Sequence, residues 1–226
     1  GARRFLESHG SLVRVNAPAS GLILEHGRAT GLRLRDGTTL RGGAVISSVP
    51  PWAVAGILPE GGPTAPLLAA ARAITPSPIV SVNLWFDREF MEGDLLGLIG
   101  KQIQWAFNRR SILGEGKGTG ACIACVISAA YDVIGHSAGS LTDLAVRELR
   151  AVFPAARTAR LVHAVVIKEK RATFSPTPTA EGLRPPVSTA VERLYLAGDW
   201  TGTGLPATIE GAVISGYAAA RMVLKS

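Results

Sequence analysis

Near the end of the chain, Leu194-Tyr195-Leu196 runs into Ala197-Gly198-Asp199-Trp200-Thr201-Gly202-Thr203-Gly204-Leu205-Pro206-Ala207-Thr208-Ile209-Glu210-Gly211-Ala212. Three apolar residues followed by Gly-Asp predict a buried strand and a tight turn. Pro206 predicts the first turn of a helix that continues through Arg221-Met222-Val223-Leu224. The first amides of a helix have no partner within it, and they carry a partial positive charge. Glycines in the preceding loop let a ligand come close to the backbone. The chemistry that follows is the binding of an anionic or electron-rich group.

Other reactive residue types are few. No nucleophile–base pair stands out. Cys122 and Cys125 form a Cys-x-x-Cys within the apolar run Ala121 to Ile127. That spacing suits a redox pair or half a zinc site. His9, His26, His136 and His163 offer no matching ligand spacing, so the cysteines read as two small buried residues and no metal site is expected. Gly114 to Gly120 carries four glycines but lacks the Gly-Lys-Ser/Thr of a phosphate loop. It reads as a hairpin loop.

The run from Leu194 to Ala212, extended by Val213-Ile214-Ser215-Gly216, resembles the C-terminal flavin motif of the FAD-dependent amine oxidase and phytoene desaturase superfamily. The resemblance implies FAD as cofactor. Asp199, after Gly198, would meet the ribityl and pyrophosphate part. The amides around Ala207, Thr208 and Ile209 would face the pyrimidine edge of the ring, where a reduced flavin carries negative charge. The block ending Ala44-Val45-Ile46-Ser47-Ser48-Val49-Pro50 resembles a second part of these flavoproteins. That likeness implies that Ser48 and Pro50 lie near the cofactor. Gly43 departs from the pattern, which usually has an acidic residue there.

Further stretches resemble the hydroxysqualene dehydroxylase branch. They are Pro76 to Val80, Asn83 to Asp87, Gln104 to Arg109, Val126 to Ala130, Glu169 to Phe174 and Arg184-Pro185. That branch implies an enzyme of bacterial hopanoid synthesis. It removes the hydroxyl of hydroxysqualene reductively, with reduced FAD as hydride donor, and gives squalene. A phytoene or carotenoid desaturase, or another flavoenzyme of the amine oxidase family, is the alternative. The partner would be an apolar isoprenoid, and Trp105, Phe107 and Phe174 would line its path. Breaking a C–O bond benefits from a proton donor or a stabilised cation. Lys170, Arg171 and Arg184 are the candidates. The superfamily opens with a strand, Gly-x-Gly-x-x-Gly and a helix, and this sequence contains no such run. A non-catalytic fragment or subunit that needs an N-terminal half is therefore a reading of a different class.

The elements that must hold these residues follow from periodicity. Residues 1–9 suggest the end of a helix. Leu12 to Val15 alternates as a strand does, and Leu22 to Leu34 reads as a hairpin turning at Glu25-His26-Gly27. Trp52 to Leu58 and Leu67 to Ile74 are helix candidates. Ile79 to Asp87 alternates strongly, and Leu95–Ile99 with Ile103–Phe107 predicts a pair. Ser140 to Phe153 is an amphipathic helix with Ser140 as N-cap. Leu161 continues as strand to Phe174. The fold expected is α/β: a flavoprotein fold without its N-terminal βαβ unit, joined to an α+β substrate domain. The boundaries are 1–75 and 184–226 for the FAD-binding parts and 76–183 for the substrate-binding domain.

Composition sets limits. The chain has 226 residues, 47% of them hydrophobic, with mean hydropathy +0.25. That is enough for a substantial core and argues against disorder. The net charge is +7. The basic residues are scattered and do not interleave with aromatics, which excludes a nucleic-acid platform. A basic balance is compatible with peripheral association with a membrane. Two cysteines give no disulfide framework, which points to the cytoplasm, including the inner face of the membrane.

Overall fold

The computed structural model describes residues 1–114 and 120–225. The glycine run expected as a hairpin loop therefore lies outside the described residues, apart from its ends. In chain order the chain forms α1 (Ala2–Ser8), β1 (Ala19–Glu25), β2 (Arg28–Leu34), β3 (Thr39–Arg41), β4 (Val45–Ser47), α2 (Pro51–Val54) and α3 (Ala65–Ala73). There follow β5 (Pro76–Phe86), β6 (Leu95–Gly97), β7 (Trp105–Asn108), α4 (Arg109–Leu113), β8 (Ala121–Ser128), α5 (Ala138–Val152) and β9 (Leu161–Phe174). The last elements are α6 (Pro178–Gly182), β10 (Leu194–Leu196) and α7 (Ile209–Lys225). Two compact units result, Gly1–Thr75 with Pro176–Ser226, and Pro76–Ser175.

In the first unit β1, β2 and β3 form an antiparallel sheet. The β1–β2 turn falls at His26 and Gly27, both with positive φ (52° and 79°). That is the backbone a two-residue hairpin needs. β4 and β10 form a parallel pair, with Val45 opposite Leu194 and Ser47 opposite Leu196. Leu12–Val15 is not a strand: Leu12 and Val15 are exposed, and among the described residues no neighbouring strand takes up their backbone groups. The second unit ends at Ser175. Pro176 and Pro178 break β9, and the Thr177 hydroxyl accepts from the Ala180 amide to start α6. Residues 176–183, read from sequence with the substrate-binding part, thus pack in the first unit.

The second unit is a five-stranded antiparallel sheet in the order β6-β7-β8-β5-β9. Alternate residues of its central strands face α5. Val80, Val82, Leu84 and Phe86 from β5 meet Ile123, Cys125 and Ile127 from β8, together with Leu141, Ala145 and Leu149. The last three recur every four residues, the spacing of one helix face. The cap of α5 is Ser137, not Ser140; the Ser137 hydroxyl accepts from the Ser140 amide at 3.1 Å. Gly135 and His136 precede the cap, so the helix gains a turn that hydrophobic periodicity alone did not mark.

Cys122 and Cys125 form no disulfide. Cys122 pairs across from Trp85, and Cys125 from Val82, so the two thiols lie on opposite faces of the sheet. Burial pushes the Cys125 thiol from its ordinary 9.0 to about 12, and the Glu148 carboxylate adds to the shift. Neutral Cys125 is the form the fold favours. This contribution to stability is complete below pH 9.0 and is lost as pH rises towards about 12. A thiol reagent at pH 8 is expected to spare Cys125 in the native protein and to label it after denaturation. Rapid native labelling at that site, mapped by peptide mass, would contradict this packing. Leu141→Ala is expected to cost roughly 2–5 kcal/mol in denaturant unfolding, from lost transfer energy and a residual cavity.

Candidate functional site

The parallel pair β4–β10 brings two distant parts of the chain together. The Ala197 amide donates to Ser47 O at 2.9 Å, and the Trp200 indole N–H donates to Val49 O at 3.1 Å. Ser48 and Pro50 thereby stand beside the Gly198-Asp199 turn. Gly198 has φ +119°, and a Cβ there would lie 3.3 Å from the Trp200 ring and 3.7 Å from Ser48 O. Only glycine fits that conformation without strain. The Ser215 hydroxyl of α7 accepts from the Gly198 amide at 2.8 Å and donates to Ala212 O at 2.7 Å. Ser215 is fully buried. It pins the turn to the helix.

Arg184 completes the loop. Its side chain is 1% exposed. One guanidinium nitrogen donates to both carboxylate oxygens of Glu181 at 2.8 and 3.0 Å. The other donates to Asp199 O at 3.1 Å and Thr201 O at 2.6 Å. The geometry gives Arg184 the work of holding the loop backbone. Lys170 and Arg171 are exposed in the second unit. They lie where β9 departs from regular register between the pairs Ser77–Thr173 and Ile79–Glu169.

α7 begins at Ile209, not at Pro206. Pro206 lies in the loop, and Thr208 supplies the cap; its hydroxyl accepts from the Gly211 amide at 3.2 Å. Pro206 is common at helix starts, but a threonine with a free side-chain oxygen satisfies an amide directly. The amides of Ala207, Thr208, Ile209 and Glu210 donate to no group among the described residues. A Cβ on Gly211 would approach Pro206 O to 3.2 Å, so the loop packs tightly on the start of α7. The Ser47 hydroxyl is buried and has no hydrogen-bond partner among the described residues. Sequence reasoning named Ser48 instead. The alternation of β4, with Val45 and Ser47 inward and Ile46 outward, is the signal that would have found it.

The aromatic residues divide. Trp105 and Phe107 stand on the face of the second-unit sheet turned away from α5, with ring centroids 6.5 Å apart. Phe174 pairs across from Pro76 and is buried. The open face continues from Trp105 and Phe107 through Val126 and Ala124 on β8 and Ser81 and Asn83 on β5 to Ile167 and Val165 on β9. Leu95, Trp105, Val165 and Ile167 are 52%, 44%, 38% and 55% exposed. A monomeric domain seldom leaves so broad an apolar surface to water without a use for it.

Comparison with known proteins shows the family and the fold. A family profile, flavin containing amine oxidoreductase, matches residues 2–224. The chain belongs to that family. It is 31% identical over 225 residues to a hydroxysqualene dehydroxylase of Sinorhizobium fredii, covering 99% of this chain and 49% of that protein. It is 26% identical over 237 residues to a 15-cis-phytoene desaturase of Solanum lycopersicum, covering 97% of this chain and 39% of that protein. An oxidoreductase from Methanosarcina mazei shares the fold, with a TM-score of 0.75 at 17% identity over 97% of this chain and 52% of that one. The chain thus spans about half or less of the length of these relatives. The expected α/β flavoprotein architecture holds, and family membership supports FAD as the cofactor.

The residues present fit a flavin: the first amides of α7 and the buried Ser47 hydroxyl have no partner among the described residues. Gly198, Asp199 and the backbone of Ala207 to Ile209 would hold it. Arg184→Met is expected to lower stability by roughly 2–4 kcal/mol, because two buried carbonyls lose a charged donor. Arg184→Lys is expected to recover little, since a single ammonium cannot span Glu181 and both carbonyls. Denaturant midpoints of the two variants check this. Full recovery with lysine would show that charge alone suffices.

Proposed function

We propose that this chain is part of an FAD-dependent oxidoreductase that acts on a long isoprenoid, and that its reaction is the reductive dehydroxylation of hydroxysqualene to squalene. The observation that carries the reading is the broad apolar face of the second-unit sheet. Leu95, Phe107, Trp105, Val126, Val165 and Ile167 spread over four strands on it. Such a surface suits a long hydrocarbon and gives a small charged amine nothing to bind. The 31% identity to a hydroxysqualene dehydroxylase over nearly the whole chain supports the finer assignment. Phytoene desaturation is the second reading, supported by the 26% identity to a phytoene desaturase.

Bound FAD, once reduced, would supply the hydride. The reaction takes one hydride and one proton, breaks the C–O bond, and releases squalene and water. The chain's own part is to hold the apolar ligand, keep bulk water from the reacting carbon, and place amide dipoles where negative charge gathers. Asp199 would hold ribityl hydroxyls, and the first amides of α7 would face the pyrimidine edge. Trp105 and Phe107 would line the path of the isoprenoid. A substrate dissolved in lipid puts the protein at the cytoplasmic face of a membrane, and the net charge of +7 suits anionic lipid there. Among the described residues no helix is long and apolar enough to cross a membrane.

The test is an anaerobic incubation of the protein with FAD, a flavin reductant and hydroxysqualene, with products read by gas chromatography and mass spectrometry. Squalene is the expected product. Phytoene, offered with oxidised FAD and a quinone acceptor, is expected to remain unchanged. A more unsaturated product from phytoene, with no squalene from hydroxysqualene, would favour the desaturase. Absence of flavin absorbance after gel filtration would favour a non-catalytic part that needs a further segment.

A further inference from the structure

One residue on the apolar sheet face does not match its surroundings. Asn83 lies in the middle of β5, with Ala124 of β8 on one side and Val165 of β9 on the other. The next residues on the same face of the strand are Ser81 and Trp85, and the Trp85 ring meets the His163 ring at 5.2 Å. Strand alternation settles its direction. Val82 and Leu84, its neighbours in sequence, belong to the core under α5. Asn83 therefore points to the open face. It is 7% exposed, and its carboxamide makes no hydrogen bond among the described residues.

Asparagine is depleted in strands, and an amide that loses its water under an apolar ligand without gaining a partner is costly. Valine or threonine at this position would suit the sheet better. A carboxamide offers an acceptor oxygen and two donor hydrogens at one point. That set complements a hydroxyl, which donates once and accepts as well. We propose that Asn83 recognises a hydroxyl on an otherwise apolar ligand that lies across the open face of the sheet. It is a specificity-determining residue. It separates an isoprenoid alcohol from the parent hydrocarbon, because the hydrocarbon leaves the amide buried and unpaired. The inference rests on the isoprenoid reading above and adds the group by which the alcohol is chosen.

The test is ligand titration of the purified protein with hydroxysqualene and with squalene, in detergent micelles, followed by tryptophan fluorescence. Trp85 and Trp105 both lie on the face concerned. The wild type is expected to bind the alcohol about tenfold more tightly than the hydrocarbon, the worth of one well-placed hydrogen bond. Asn83→Leu is expected to bring that ratio close to one by weakening the alcohol and tightening squalene. Asn83→Thr keeps a hydroxyl and suits a strand, so it decides the matter should the leucine variant not fold. Its ratio is expected to fall about threefold. An unchanged ratio in the variants, or a wild type that binds both ligands equally, would overturn the role of Asn83 and leave the isoprenoid reading intact. A wild type that binds neither ligand would overturn that reading, and this inference with it.

Discussion

The guanidinium of Arg184 is the contact on which the flavin-motif loop depends. Residues 198–202 belong to neither strand nor helix, so their carbonyls find no ladder to join. Buried backbone groups must nevertheless be paired. A planar cation with five donors can reach two carbonyls and a carboxylate at once, and no neutral side chain can. Ser215 ties the turn from the helix side, and the Trp200 indole ties it to the strand that carries Ser48. The three contacts hold Gly198 in its positive-φ conformation. The ion pair with Glu181 faces water on its acidic side, so its value is more in placement than in net energy.

The second unit shows how alternation along a strand divides labour. In β5 the even-numbered residues from Val80 to Phe86 build the core with α5, and the odd-numbered ones make the opposite face. The same division runs through β8, where Ile123, Cys125 and Ile127 turn inward. A one-residue slip would exchange the faces entirely. Both faces are largely apolar, yet only one has a helix on it. The stability of the unit comes from the covered face, and the other stays open. Asn83 sits on that second face without weakening the core.

Much of this was legible in the sequence. The Leu194 to Ala212 run carried its meaning because a strand, a glycine turn and a helix start follow one another without a break. The amphipathic helix over 138–152 and the strand from Leu161 to Phe174 were also plain, because their periods are unambiguous. What failed was local chemistry that has more than one solution. Pro206 and Thr208 can both open a helix, and so can Ser137 and Ser140; the choice rests on which hydroxyl reaches an amide. Leu12 to Val15 alternates correctly but has no strand beside it, and periodicity cannot report a missing neighbour. Arg184 reads from sequence as a candidate for proton donation or cation stabilisation. Its burial among carbonyls is a tertiary fact. Asn83 was visible only as one letter in a good strand, because burial and the lack of a partner are properties of the sheet.

The parallel pairing of β4 with β10 has a consequence for how the chain reaches this state. The two strands are neighbours in space, while the entire second unit lies between them in sequence. Closing so long a loop in an unfolded chain carries a large entropic penalty. The second unit removes most of it. Its sheet sets Pro76 opposite Phe174, so its entry and exit points already lie side by side when it is formed. To the first unit, the folded insertion is then a short bridge and no longer a long tether. The order of assembly follows. The contiguous unit can form as soon as β9 is made, and β10, which follows it in the chain, can then pair with β4 across a short gap. The turn at Gly198 and Asp199 follows β10 directly, so its shape depends on that pairing.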